Sequence, residues 1–476
     1  MRASIAAIIV LLLSAPFPND PEKEVAFHWI EQNAATTRKV SLNIWSNPEL
    51  ALREFKSSRE LIHYLQSNGF RVEKGVAGIS TSFVASSGGG KPVIAIYGEY
   101  DALAGLSQKA EPVRSPLVEE APGHGCGHNL IGAASAAAAV AVSRAMEAGN
   151  LKGTIRFYGT PAEEAAGGKN YILEAGLFKD VDILLGWHPG ARTQANFEYS
   201  KAVTEVRFKF KGVAAHASSA PHLGRSALDG VELMDVGVNF MREHVKEDAR
   251  IHYVITKGGG QPNVVPADAE SWYYIRANKH QDVLDMFEWI SHIAEGAALM
   301  SRTQVEIQVA DDSHEVLANR PLAEAIDRNL HLVGPPKFTE EERTLARKMQ
   351  EPLKGNFQVA FAENIEPLPD QPAQGLYSTD LGNVSWNVPS GSLGVVSYPF
   401  GVPIHSWQVA ACAGMSIGQK AIDVAAKTLA GTAIDLFKNP ALVEASKKDF
   451  QERKKGYNYR LLLPPNRKAP VFQEAQ

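Results

Sequence analysis

Cys126 and His128 stand two residues apart in the glycine-rich stretch 123–129, GHGCGHN. A thiolate and an imidazole both bind borderline-soft divalent metals, and the glycines let the backbone bend until both side chains face one point. Three more donor types, Glu164, His188 and His405, each appear where an apolar run of strand character ends. Five donors suit two divalent ions sharing one ligand, and a thiolate from Cys126 could bridge them. Zinc suits that thiolate best, with manganese as the alternative. Glu163 sits beside Glu164, and neighbouring residues of an extended chain point in different directions. One carboxylate can therefore hold metal while the other faces a water as a general base. Asp101, at another strand end, would accept the second ring proton of a ligand histidine. Further along, His216 lies between alanines, and Asn263 with Arg276 could hold a carboxylate, arginine offering a planar fork of donors.

The chain has only two cysteines, Cys126 and Cys412. In an oxidising compartment they could form one disulfide, which would consume the metal thiolate. The histidine two residues after Cys126 favours the metal reading and leaves Cys412 as a buried apolar filler. A net charge of −5 argues against a nucleic-acid surface. Arg2, the apolar run 5–13 and the small residues after it resemble an export signal over 1–18, which would make the mature chain periplasmic or secreted. No other run reads as a membrane span.

These residues need elements to hold them. At 476 residues two domains are expected. Helices are expected at 21–46, 57–67 and, rich in alanine, 130–148. Strands are expected at 71–73, 81–85, 93–97, 154–158 and 182–185. Alternation of strand and helix implies an α/β fold with a mainly parallel sheet, whose ligands bind beyond the carboxyl ends of the strands. Asp101, Glu163, Glu164 and His188 all fall at that edge. After residue 200 the order changes to strand 204–211, helix 227–243, strands 251–256 and 269–276, helix 283–299 and strand 305–309. This is the α+β ferredoxin-like arrangement, inserted at 201–312 between two parts of the first domain, 20–200 and 313–476. A charged helical segment at 338–354 reads as a surface insertion, and the proline-rich tail after 454 as an extended wrap.

The motifs GEYDALAG, GHGCGHN, TPAEE, GWHPG, AAHASSAPHLGRSALDGVELM, GGGQPNVVPADAESWYYIRA and PIHSW resemble the M20 metallopeptidase family in its amidohydrolase branch, from about Glu22 to the end. The resemblance implies a zinc-peptidase-like catalytic domain and an inserted lid that also dimerises. It implies Cys126, His128, Glu164, His188 and His405 as ligands of two divalent ions, Glu163 as base and acid, and Asp101 as the orienting carboxylate. His216 would reach the partner subunit's site to stabilise an oxyanion, and Asn263 and Arg276 would hold a substrate carboxylate. The implied substrate is a small amide or dipeptide, an N-acyl amino acid of the aminobenzoyl-glutamate type. A homodimer is the default, with pairing to a related subunit as the alternative. Most of the branch continues the cysteine motif with an aspartate and a further histidine, whereas here Asn129, Leu130 and Ile131 follow.

Overall fold

The computed structural model of the chain describes residues 20–464 and 467–474. The export signal expected at 1–18 lies outside the described residues. A mixed sheet of seven strands runs in the order Arg71–Lys74, Phe83–Gly89, Gly153–Gly159, Val93–Gly98, Ile183–Gly190, Ser390–Val396, Gln194–Asn196. The central strands from Gly153–Gly159 to Ser390–Val396 are parallel, and the outer ones pair antiparallel. Val93–Gly98 is buried at every position, as its uninterrupted apolar run requires of a strand covered on both faces.

Helix His128–Ala148 crosses this sheet between helices Pro21–Trp45 and Ser416–Lys438. Its alanines and Gly132 permit close approach: a Cβ at Gly132 would meet the Glu99 carbonyl oxygen at 3.0 Å. By length and composition this helix could cross a membrane, contrary to the expectation from the bare sequence, yet it is almost wholly buried in the core.

Between Gln194–Asn196 and Ser390–Val396 the chain builds a separate antiparallel sheet of four strands, ordered Gln304–Ser313, Ala202–Lys211, Asp268–Ala277, Arg250–Lys257. Helices Ala227–Met241 and His280–Ser301 cover one face and form its own apolar core. On the other face, cross-strand pairing sets Arg276 opposite Val203 and Tyr274 opposite Glu205.

Three local expectations change. The strand expected to end before His188 continues to Gly190, because its far end pairs with Ser390–Val396. The helix expected from 130 begins at His128, so that residue is on its first turn. Helix Glu340–Gln350, read as a surface insertion, buries Ala346 and Met349 against Phe338, Phe361 and Val396. The tail crosses both layers: Leu462 N–H donates to Asp312 at 2.8 Å, and Ala469 packs with Leu52 and Ala162.

Candidate metal centre

The glycine turn sets the first pair. Gly127 takes φ 78° and caps helix His128–Ala148 at its N-terminus, and a Cβ there would meet Pro189 at 3.0 Å. Cys126 Sγ thereby comes within 3.3 Å of His188 Nε2. His188 Nδ1 donates to the Pro189 carbonyl at 2.8 Å, so its Nε2 presents a lone pair to the site. His128 Nδ1 lies 2.9 Å from Asp101 Oδ1. A carboxylate only accepts, so Nδ1 carries the proton and Nε2 faces inward. The other Asp101 oxygen accepts the Glu164 N–H at 2.9 Å, joining the two ligand segments.

His405 arrives from the far end of the sequence. Ser406 caps helix Trp407–Gly414 by accepting the Val409 N–H, and His405 just before it is left-handed at φ 59°. Its N–H donates to the Gly125 carbonyl at 3.1 Å, and its Nε2 lies 3.5 Å from Glu164 Oε2.

Ligand atoms of Cys126, His128 and His188 lie within 4.8 Å of one another, as do those of Cys126, Glu164 and His405, and those of His128, Glu163 and Glu164. Cys126 belongs to the first two sets. His128 Nε2 and Glu164 Oε1 are buried with no hydrogen-bond partner. Buried polar atoms normally find partners, and inward-facing orphans amid thiol, imidazole and carboxylate donors fit divalent cations. Both cysteines are free, and Cys412 packs apart from the site, its sulfur 3.5 Å from that of Met349.

Burial and the crowding of charges set the protonation of the site. Burial, then the charges of Glu99, Glu164 and Asp380, hold the Glu163 carboxyl far above its usual range. Burial pushes Glu164 up to about 7, raises the Cys126 thiol and lowers His188 to about 4. Behind Glu163, the fully buried Lys169 ammonium sits 2.6 Å from both Glu99 and Asp380. Glu99, Lys169 and Asp380 are not among the residues that the sequence pattern picks out. Glu99 shares the strand-end signal of Asp101, whereas a lone lysine carries no such sign.

A cavity of about 850 Å³ opens from this cluster. Cys126, Glu163, Glu164, His188 and His405 line it, and Arg276 enters from the helix-free face of the four-stranded sheet. Arg276 Nε is buried without a partner. His216 and Asn263 do not line the cavity of their own chain: both are exposed, and the Ala217 N–H donates to the Asn263 carbonyl. Asn263 and Arg276, grouped on sequence grounds, are thus not brought together within one chain, because the turn bearing Asn263 lies outside the strand that aims Arg276.

A family model described as peptidase family M20/M25/M40 matches residues 95–391. The chain is 39% identical over 470 residues to one of the subunits of the p-aminobenzoyl-glutamate hydrolase of Escherichia coli (strain K12), covering 92% of this chain and 96% of that protein. It is 31% identical to the Xaa-Arg dipeptidase of Mus musculus, covering 90% and 92%. Among solved structures, a Bacillus subtilis protein described as a dinuclear metal binding peptidase of the M20 family aligns with TM-score 0.58 at 19% identity, covering 86% of this chain and 99% of that one.

Proposed function

The chain belongs to peptidase family M20/M25/M40, a family of amide- and peptide-bond hydrolases, and from that premise we propose that it cleaves the amide of an N-acyl amino acid of the aminobenzoyl-glutamate type. The observation that carries this reading is the convergence of donor atoms from Cys126, His128, Glu164, His188 and His405, two of them orphaned, beside a cavity that Cys126, Glu163, Glu164, His188 and His405 line. These five residues are the proposed ligands of two divalent ions, which when bound would polarise the scissile carbonyl and acidify the attacking water, zinc being best suited to the thiolate.

The chain's own groups do the rest. Glu163 takes the proton of the attacking water and returns it to the departing amine nitrogen. Asp101 keeps the His128 ring turned and the Glu164 backbone in place. Arg276, with no acidic partner at its Nε, receives the carboxylate of the leaving amino acid. Residues 201–312 serve as lid and dimer contact. His216 accepts the Ser218 and Ser219 N–H groups at Nδ1, each at 3.2 Å, so its Nε2 proton is free for an oxyanion in the partner subunit, with Asn263 beside it. A dipeptidase using the same site is the second reading, favoured by the 31% identity to an Xaa-Arg dipeptidase over nearly the whole chain.

Metal-reconstituted protein should release amine from p-aminobenzoyl-glutamate faster than from dipeptides or other N-acyl amino acids. A preference for dipeptides selects the second reading, and no hydrolysis of any amide removes both. Glu163→Ala should abolish nearly all turnover while metal content stays at the wild-type level. Wild-type rate in that variant would take the base role from Glu163.

A further inference from the structure

Glu54 immediately precedes helix Phe55–Ser67, where a carboxylate commonly turns back to cap the helix's own N–H groups. It makes no such bond. Its side chain instead turns into the protein, where it is fully buried. One oxygen accepts the N–H groups of Leu52 and Ala162, each at 2.9 Å, and the other accepts the Thr81 hydroxyl at 2.8 Å. Both amide donors belong to left-handed residues that are not glycine, Leu52 at φ 64° and Ala162 at φ 61°. Such a conformation is disfavoured at a residue with a side chain and persists only where its surroundings enforce it.

Ala162 directly precedes Glu163 and Glu164. The N–H before Glu163 is therefore held by Glu54, and the N–H after it by Asp101 at 2.9 Å. Two buried carboxylates pin the backbone on either side of the proposed base. The Ala162 carbonyl then accepts from Ala166 and Gly168, closing the turn that displays both glutamates. Leu52, Ile79, Ala162 and Ala469 pack together around this anchor.

We propose that Glu54 is a positioning residue: by holding Ala162 in its left-handed conformation it sets the direction from which Glu163 and Glu164 enter the metal centre. The inference rests on Glu163 acting as the base. Its role lies in acceptor geometry, so a glutamine, which keeps a carbonyl oxygen at the same place, should substitute where an alanine does not.

The test compares metal-loaded wild type with E54A, E54Q and the double variant E54A/A162G. It reads kcat and KM on the best amide substrate, metal content, and hydrogen exchange across 161–166. E54A should lower kcat by about 10- to 100-fold, the scale of a small misplacement of a reacting group, with KM and metal content near wild type and faster exchange across the turn. E54Q should keep most of kcat. A162G should restore part of the E54A loss, since glycine adopts φ near 60° unaided. A folded, metal-loaded E54A with wild-type kcat and exchange overturns the proposal, as does an E54Q as damaged as E54A. Should E54A not fold, E54Q and the double variant still decide. If wild type hydrolyses no amide, the amidohydrolase reading falls, while the exchange data judge Glu54 separately.

Discussion

Lys169 places a buried positive charge beside the site. Its ammonium is fully buried, 2.6 Å from Glu99 and from Asp380, and its own N–H donates to Asp380 at 2.9 Å. Glu99, Glu163 and Asp380 present oxygens within 4.8 Å of one another, so this cation offsets mutual repulsion directly behind the proposed base. Removing one partner of a buried ion pair leaves the other charge without compensation, which costs about 3–5 kcal/mol. Lys169→Met is therefore expected to lower the denaturation midpoint sharply in urea titration. It should do so with apo protein as well as with metal-loaded protein, because Lys169 neutralises carboxylates that are not proposed ligands.

At the scale of elements, the junction between the two sheets is built from aromatic and imidazole rings. Helix His280–Ser301 starts there and strand Gln304–Ser313 ends there. The His314 ring stacks on His280 at 3.7 Å between centroids and on Tyr459 at 4.5 Å. Its Nδ1 donates to Asn383 Oδ1 at 2.8 Å, tying the end of the four-stranded sheet to helix Leu381–Ser385. Burial, and then the charge of His280, lower the His314 pKa to about 3. The folded state thus binds a proton at this ring more weakly than the unfolded chain, whose imidazole titrates near 6.5. The resulting stabilisation is complete above about pH 6.5 and is lost as the pH falls from there toward about 3. Thermal melts from neutral pH down to about pH 4 should show the midpoint of His314→Phe falling less steeply with acid than that of wild type, even though the variant starts lower. Parallel slopes would mean that another group controls acid stability.

At the scale of the whole molecule, not every residue nominated for the site reaches the cavity of its own chain. Within one chain Arg276 reaches the cavity, but His216 and Asn263 sit exposed in loops between the elements of the second sheet. The same sheet ends in the edge strand Arg250–Lys257, where Val254 and Ile255 are exposed. If a partner supplies His216, then H216A and E163A are each inactive as homodimers. Mixed after reversible dissociation, they form heterodimers in which one site has both an intact Glu163 and an intact partner His216. Activity should return to roughly one quarter of the wild-type level, the share of such sites in a random mixture. Two variants that stay inactive when mixed, with heterodimers present, would place His216 outside the partner's site.

The residues whose donor atoms the fold brings together, Cys126, His128, Glu164, His188 and His405, were nominated before any fold was known. Cys126 and His128 share one turn, and Glu164 and His188 mark ends of apolar runs, so local pattern nominates them and their occurrence together with His405 gives the nomination weight. The order of strands and helices likewise carried both sheets, since the periodicity of buried side chains is local. What pattern could not carry were relations across the chain. That Glu54 holds Ala162, that Lys169 lies under Glu163, and that Asn263 parts from Arg276 depend on contacts made only when segments far apart in sequence close on each other. A buried charge is chosen by the shape and field of its surroundings, which exist only in the folded chain, whereas a ligand motif is a property of a few adjacent residues.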